Sequence, residues 1–574
     1  MTNKRKFLLF ILIFFLSNIL YHVFSKNLFN KYLNVYKIQP KVAIHSVYGN
    51  YLAGYYASKT SQQALAAQFF QDGLTKYKNT NHSLTNTLLE YSYITYILAG
   101  KTQNAISLIK QFSGDNSTYL TSIILAFEDF HTGNFQKARH ILEQSLNNDN
   151  LQKIDEMLLL ILISWCHFGE GNYEQAIASL QKSPEPNDEL IILQEAIMAD
   201  LKGSNEIARQ KYNQLTQLSF SYDIINLVAN FYVRENNVSQ ARALYNTLLS
   251  INPNNPIFQN SLQALLSKHS HNKRIISNPI DGVVFTFTLI SSLLNKEVFY
   301  IKALICSELA LYLNPKYEPA QLLISSILLD MNNYDMALKY YRLIPYTSDF
   351  YYYAQLEIAK ILHIIGDIKT ARYMLRALYQ TNPAYIEPLM LLANSYSTNG
   401  DYIKVNNIYT NIISKLPNIE KKEWVLFYLR GTNYSLLKNN FKAEKDFLKA
   451  LKLNPEQHIV MNDLAYTWLE EGKNIEKAMQ MIKLAYENDP QNPQVLDSMG
   501  WAFYLKGNYK QALDFLENAI ELIPNDATVG EHLGDAYYKL SYKLQAKYEW
   551  ERALQNTDDK SVKTRLKNKI NQLK

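Results

Sequence analysis

The side chains that could do chemistry in this chain are acidic and aromatic residues that recur toward its C-terminal end. Glu531 and Asp535 are four residues apart, so on a helix both carboxylates lie on one face. Such a pair could act as general acid and general base. The same spacing is usual for a solvated helix face or for a salt bridge to a neighbouring helix, so we predict no catalytic residue here.

Motifs of known catalytic, cofactor and metal sites are absent from the sequence. It contains no GxGxxG, GxxxxGK[ST], HExxH or GxSxG. Cys166 and Cys306 are far apart and lack zinc-site spacing, so we interpret them as buried apolar thiols. His269 and His271 stand in a polar, basic stretch without a nearby Cys, which favours a solvated linker over a metal site. We therefore expect no enzymatic activity, no cofactor and no metal.

The length and charge of the chain restrict its fold and its partners. There are 58 Lys and Arg residues against 52 Asp and Glu residues, a net charge of +6 over 574 residues. So small an excess does not indicate a nucleic-acid partner. A chain of this length is too long for one ordinary core but suits a fold that grows along one axis.

The elements that must position the acidic and aromatic side chains are clearest in Asn492–Asp526. Apolar residues at helical spacing predict a first helix that ends at Gly507 and a second helix that ends before Pro524. Gly500 and Ala512 are small at the positions where these two helices must cross. The stretch therefore predicts a tightly packed pair of antiparallel helices.

Small residues recur in phase with this helix pair. Steps of 35, 34 and 34 residues separate the alanines early in the second helix, which are Ala443, Ala478, Ala512 and Ala546. A second series follows the same rhythm and consists of Ala450, Ala485, Ala519 and Ala553. The pattern resembles the tetratricopeptide repeat, whose period is about 34 residues. The resemblance implies an all-α fold, a right-handed α-solenoid of about fourteen helix–turn–helix units in two superhelical halves.

The predicted organisation has six parts. They are a signal peptide or N-terminal membrane anchor (1–25), a lead-in (26–46), a degenerate N-terminal repeat array (47–255), a linker or break (256–283), a C-terminal repeat array (284–560) and a capping helix (561–574). The break is placed where a basic polar stretch is followed by the turn residues Asn278–Gly282. The last segment has one apolar face, which we expect on the final repeat, and one basic face, which we expect in water.

The first residues predict export across a membrane. A basic start, Lys4–Lys6, precedes the apolar stretch Phe7–Phe24. As a helix this stretch would be about 27 Å long, slightly short of a ~30 Å hydrocarbon core. A cleaved signal peptide and an anchor formed by residues 7–24 both remain open. Either alternative places the body of the protein in the periplasm, with the membrane contacted only through this segment if it is not cleaved.

The C-terminal run has a more specific resemblance. Its segments are Trp424–Gly431, Ala443–Leu451, Asn462–Trp468, Leu496–Trp501, Glu531–Tyr537 and Glu549–Leu554. Together they are similar to a family of long exported repeat proteins from alphaproteobacteria, a family with no settled molecular role. The resemblance implies residence in the periplasm and no catalytic domain.

Stacked helix pairs expose a long concave face formed by their first helices, which is the expected binding surface. The groove positions of the tetratricopeptide family correspond here to Tyr428, Thr432, Asn462, Tyr466, Asp497, Trp501, Glu531 and Asp535, with Tyr504 and Tyr538 beside them. Their aromatic, amide and acidic side chains suit an extended or helical protein segment with some basic character. The Lys–Asn pair of the family's carboxylate clamp is not found.

Two non-catalytic functions are consistent with this sequence. The first is a protein-binding scaffold in the periplasm or at the inner membrane, with envelope assembly as one setting. The alternative is a binder of envelope glycan or of its synthases, which would use the aromatic side chains of the groove.

Overall fold

The computed structural model describes residues 46–60, 62–76, 84–112, 118–147, 151–218, 221–252, 255–266, 274–416 and 419–573. The predicted signal or anchor segment 1–25 lies outside the described residues, as do nearly all of the lead-in and His269 and His271. Within the described ranges every regular element is a helix, which confirms the all-α prediction. None of these helices combines the length and the apolar character needed to cross a membrane.

Thirty α-helices are formed by the described residues. The first thirteen are α1 (Val47–Lys59), α2 (Gln63–Lys76), α3 (Leu84–Leu98), α4 (Thr102–Phe112), α5 (Tyr119–His131), α6 (Phe135–Leu146), α7 (Lys153–Gly169), α8 (Tyr173–Gln181), α9 (Glu189–Lys202), α10 (Asn205–Leu218), α11 (Tyr222–Arg234), α12 (Val238–Ile251) and α13 (Pro256–Leu266). The others are α14 (Pro279–Lys296), α15 (Tyr300–Leu313), α16 (Glu318–Asp330), α17 (Tyr334–Tyr341), α18 (Tyr351–Ile364), α19 (Ile368–Thr381), α20 (Glu387–Ser397), α21 (Tyr402–Lys415), α22 (Trp424–Leu436), α23 (Asn440–Leu453), α24 (His458–Glu470), α25 (Ile475–Asn488), α26 (Pro493–Leu505), α27 (Tyr509–Leu522), α28 (Ala527–Lys539), α29 (Lys543–Gln555) and α30 (Lys560–Asn571).

The helices follow one another in pairs joined by short turns. Six pairs run from α1/α2 to α11/α12 and eight from α14/α15 to α28/α29, so the fourteen predicted units are present. Helix α13 and helix α30 stand outside this pairing. The segment 256–283, expected as a linker, thus contains one helix and the start of α14.

The turn within a pair requires a residue in the left-handed region of backbone space. Gly507, between α26 and α27, has φ of +81°, a conformation that costs glycine little because it has no Cβ. Lys438 takes the same conformation between α22 and α23 with φ of +57°. The position in the repeat therefore determines the left-handed conformation of this turn, and glycine only lowers its conformational cost.

Small residues allow the two helices of a pair to approach closely. A Cβ added to Gly500 on α26 would lie 2.6 Å from Cγ of Leu516 on α27. Gly534 on α28 lies similarly against the Trp550 ring of α29, where an added Cβ would be 2.4 Å from Cδ1. The in-phase alanines, such as Ala512, are completely buried. These contacts confirm the register predicted from the alanine series.

Contacts divide the chain into two compact units. One comprises Met1–Leu215 and Ile276–Leu323, and the other comprises Thr216–Ile275 and Ile324–Lys574. The sequence placed a division at 256–283, whereas α14 and α15 are grouped with the N-terminal helices. This grouping reflects a close contact between α14 and α7. Gly282 of α14 lies so near the Trp165 ring of α7 that an added Cβ would be 2.1 Å from Cη2. Thr286 of α14 also donates a 2.9 Å hydrogen bond to Gln194 of α9.

Candidate functional site

The ten predicted groove residues lie on consecutive first helices of the second unit. They are Tyr428 and Thr432 on α22, Asn462 and Tyr466 on α24, Asp497, Trp501 and Tyr504 on α26, and Glu531, Asp535 and Tyr538 on α28. Each of these four helices contacts the next one. We call the surface formed by α22, α24, α26 and α28 the first-helix row. Whether these residues bind a ligand stays a prediction.

At the start of the row, Tyr428 is engaged within the protein. Its hydroxyl donates a 3.1 Å hydrogen bond to Oδ2 of Asp463, and the Asn462 side chain donates to Oδ1 at 3.4 Å. Burial raises the pKa of Asp463 to about 6, although these two donors act to lower it. The sequence did not predict this role of Asp463, because nothing in the repeat pattern distinguishes it from any other acid beside a groove position. This carboxylate joins α22 to α24.

Three rings of the row form a stack, which we call the ring stack. Trp501 lies between Tyr504, with ring centroids 4.7 Å apart, and His532, with centroids 4.0 Å apart. The planes are tilted by only 7° and 13°. Tyr466 lies beside the stack, 6.3 Å from the His532 ring. Burial raises the pKa of Tyr504 to about 12, so its hydroxyl remains a neutral hydrogen-bonding group.

The sequence pattern did not predict a role for His532. In the structure its side chain pairs with the predicted groove residue Asp497. Its Nδ1 lies 2.8 Å from Oδ1 of Asp497, and both side chains are buried. Burial opposes the charged imidazole, but the Asp497 carboxylate more than offsets this and raises the pKa of His532. The pair links α26 to α28, so Asp497 is not free to meet a partner.

The acidic end of the row is occupied by helix α30. Arg565 donates from Nε and Nη2 to the two carboxylate oxygens of Glu531 at 2.6 and 2.7 Å. Lys569 donates to Glu531 and to both oxygens of Asp535, each at 2.7 Å. Burial raises the pKa of Glu531, but the two cations outweigh it and the pKa is lowered overall. For Asp535 burial outweighs Lys569, and its pKa is raised.

The expectation that the basic face of the last segment points to water is wrong for Lys569, whose side chain is 23% exposed. The Arg565 side chain is 55% exposed, but it also pairs with Glu531. Both contact α28 at sequence separations of 34 residues, which is one repeat period. Helix α30 thus stands where the first helix of a further unit would stand. Arg565 and Lys569 therefore reach the first-helix row, and they cover the predicted groove acids Glu531 and Asp535.

Aromatic surface remains open on α24, α26 and α28. Tyr538 is 40% exposed, and Tyr466, Trp501 and Tyr504 are partly exposed. In the described part of the chain no three His, Cys, Asp or Glu side chains are grouped as a metal site would require. Cys166 and Cys306 are both free thiols whose pKa is raised by burial, as expected of apolar packing residues.

Three segments of the chain match the sequence profile of the tetratricopeptide repeat, at residues 318–344, 426–457 and 493–526. Among curated proteins, a TPR repeat-containing protein of Pseudomonas aeruginosa is 27% identical over 183 residues, 32% of this chain and 30% of that protein. Anaphase-promoting complex subunit 3 of Schizosaccharomyces pombe is 25% identical over 26% of this chain and 22% of its own length. A protein O-mannosyl-transferase of Homo sapiens is 30% identical over 19% of this chain and 12% of its own length. The chain thus spans less than a third of each relative.

Two solved structures of tetratricopeptide-repeat proteins align with parts of this chain. A tetratricopeptide repeat protein from Parabacteroides merdae aligns with 45% of this chain and 99% of its own, at 18% identity and a TM-score of 0.37. YrrB, described as a TPR protein with an unusual peptide-binding site, aligns with 31% of this chain and 88% of its own, at 18% identity and a TM-score of 0.26. The three profile matches are in register with helix pairs of this chain, which therefore contains tetratricopeptide repeats.

Proposed function

We propose that this protein is a non-catalytic scaffold that binds a segment of a partner protein on the first-helix row, over the ring stack. Tetratricopeptide-repeat proteins generally act as protein-binding scaffolds. We place the protein in the periplasm or at the inner membrane, with envelope assembly as its setting, on the basis of the basic and apolar residues of 1–24.

The ring stack carries this proposal. Trp501 and Tyr504 present rigid, partly exposed rings that already pack against each other and against His532. A rigid aromatic surface loses little conformational freedom on binding, and Tyr and Trp are enriched among residues that dominate interface energies. The adjoining acids Asp497, Glu531 and Asp535 are already paired within the chain, so we assign the aromatic side chains the main contacts.

A glycan ligand is the second candidate, because stacked aromatic rings also offer a flat apolar face to a sugar. The ring stack is the one observation that supports a glycan ligand. A polymer of the cell envelope would then be retained by the immobilised protein in place of a partner protein.

The test is capture of partners from membrane extracts by the double variant Tyr504→Ala and Tyr538→Ala. Neither hydroxyl bonds to Asp463, Asp497 or Glu531, so the contacts between the first helices are retained. We expect capture of partners to fall by about tenfold or more, since truncation of a central aromatic residue often costs about 2 kcal/mol. Mass spectrometry and sugar analysis of the retained material distinguish protein from glycan.

The matched control is the double variant Tyr373→Ala and Tyr548→Ala. These tyrosines are 72% and 63% exposed on the second helices α19 and α29, away from the first-helix row. Capture by this variant should equal that of the wild type. Equal capture by both double variants, with unchanged melting, would show that the row is not the binding surface.

A further inference from the structure

Helix α30 is held by a small apolar cluster against α29 and by ion pairs to α28 on the first-helix row. Leu566 is its one fully buried side chain among the described residues, while Val562, Ile570 and Leu573 are only partly buried against Ala546, Trp550 and Ala553. The connection from α29 is exposed, and Asp558 in it is fully open to solvent. Near the start of the helix, Asp559 caps the backbone and pairs with Lys438, and Lys563 pairs with the exposed Asp558. The ion pairs from α30 to the first-helix row converge on Glu531 and Asp535.

Glu531 and Asp535 need cationic partners at this position. Glu531 is only 5% exposed, and its charge is stabilised there by Arg565 and Lys569. A buried carboxylate left without its cation is strongly unfavourable, because it has lost water without gaining a partner. Removal of α30 would therefore leave a surface that favours another pair of cations in the same geometry.

The geometry of α30 specifies what could replace it. Arg565 and Lys569 are four residues apart, so they lie one turn apart on the same face and reach Glu531 and Asp535 together. Leu566 and Ile570 follow each cation directly and turn toward the last helix pair. A replacing segment needs the same arrangement, with two cations at i and i+4 and apolar residues at i+1 and i+5.

We infer that α30 is a built-in occupant of a helix-binding site whose partner is an amphipathic helix of another protein with two cations one turn apart. This inference rests on the proposed function and adds to it the chemistry of the partner segment and a competitor within the chain. Both helices need the same carboxylate oxygens, so binding of one excludes the other. The apparent affinity for the partner equals the intrinsic affinity multiplied by the fraction of molecules in which α30 is released.

A fluorescent peptide with the sequence of Lys560–Leu573 serves as the probe, and the full chain serves as the receptor. Its binding is followed by fluorescence anisotropy for the wild type and for the double variant Arg565→Ala and Lys569→Ala, which loosens α30. We expect the variant to bind the peptide at least about tenfold more tightly than the wild type. A peptide with Gln in place of both cations should not bind either protein.

The matched control is Lys563→Ala with Lys567→Ala, which removes the same charge from α30 but not the cations that contact α28. This variant should bind the peptide as weakly as the wild type does. Equal affinities for wild type and the Arg565/Lys569 variant, or equal binding of the Gln peptide, would overturn the inference.

Hydrogen exchange on the unmodified protein tests the same competition without a variant that could fail to fold. Excess peptide should speed exchange of the α30 amides and leave the α28 amides protected. Unchanged exchange in α30 would overturn the inference. The capture test of the proposed function changes Tyr504 and Tyr538 and leaves Arg565 and Lys569 in place, so a failed peptide test with intact selective capture rejects only this inference. A failed capture test rejects the proposed function whatever the peptide does.

Discussion

Several side chains on the first-helix row connect one repeat to the next. Tyr428 bonds to Asp463, Asp497 to His532, and Glu531 to Arg565, with sequence separations of 35, 35 and 34 residues. Each separation is one repeat period. Residues chosen as ligand contacts by their position in the repeat therefore also stabilise the stacking of the units. We therefore expect a substitution at these positions to lower stability, whether or not the residue contacts a partner.

Asp463 should make the stability of the protein depend on pH. Its pKa is about 6 in the folded protein and 3.8 ordinarily, because burial disfavours the carboxylate. The folded state therefore binds the proton more tightly than the unfolded chain does. The stability from this group is fully present below about pH 4 and is lost as the pH rises through about 6.

The variant Asp463→Asn should remove this dependence. Urea unfolding at pH 4.5 and at pH 7 should show the variant gaining stability relative to the wild type at the higher pH, because the neutral amide carries no buried charge. Asp514→Asn, at an exposed carboxylate on α27, is the control and should show no such gain. The same stability difference at both pH values for Asp463→Asn would contradict the assigned cause.

At the scale of elements, the crossing of two helices depends on residues without bulk. Gly500 of α26 lies against Leu516 and against the carbonyl oxygen of Ala512, where an added Cβ would be 3.1 Å from that oxygen. Ala512 is completely buried at this crossing. The crossing therefore leaves no volume for a larger side chain, while α30, outside the pairing, is placed by the buried Leu566 and by its ion pairs.

Replacement of Ala512 by Leu should destabilise the protein by about 1–3 kcal/mol, because extra methylene groups force packed side chains out of their favoured positions. Urea or thermal unfolding measures the loss. Gln511→Leu adds a side chain of the same kind at the adjacent exposed position and should change stability by about 0.5 kcal/mol or less. A variant Ala512→Leu that melts like the wild type would show that the assigned crossing is wrong.

At the scale of the whole molecule, the chain forms two compact units, and each takes residues from two separate stretches of sequence. Gly282, at the end of the predicted break, lies inside α14 against Trp165. A reporter inserted after Gly282 would interrupt this helix and the packing of the first unit. The C-terminal end of the chain is therefore the better place for a topology reporter.

An alkaline phosphatase fused to that end should be active in a Gram-negative host. The reason is that residues 1–24 are expected to export the body of the protein, and the phosphatase folds only where its disulfides form. The same fusion without residues 1–25 should be inactive. An inactive phosphatase, together with an active cytoplasmic reporter at the same position, would reject the periplasmic location. The size of the mature protein distinguishes cleavage from anchoring.

The sequence by itself determined the helix pairs and their register. Helical periodicity, the turn at Gly507 and the small residues Gly500 and Ala512 act over a few residues or across one tight turn. Their physical effect is local, so the pattern of residue types is enough to predict it. The fourteen units and the contact of Gly500 with Leu516 followed from this pattern.

The tertiary structure alone decided which groove residues are already paired within the chain. The contacts of Asp497 with His532 and of Glu531 and Asp535 with α30 join residues about one repeat apart, across two first helices. Which acid pairs with which cation depends on the reach and burial of the side chains. The periodicity of the sequence contains no information on either. The packing of Gly282 on Trp165, which draws α14 into the first unit, likewise depends on a surface formed only when distant helices have folded.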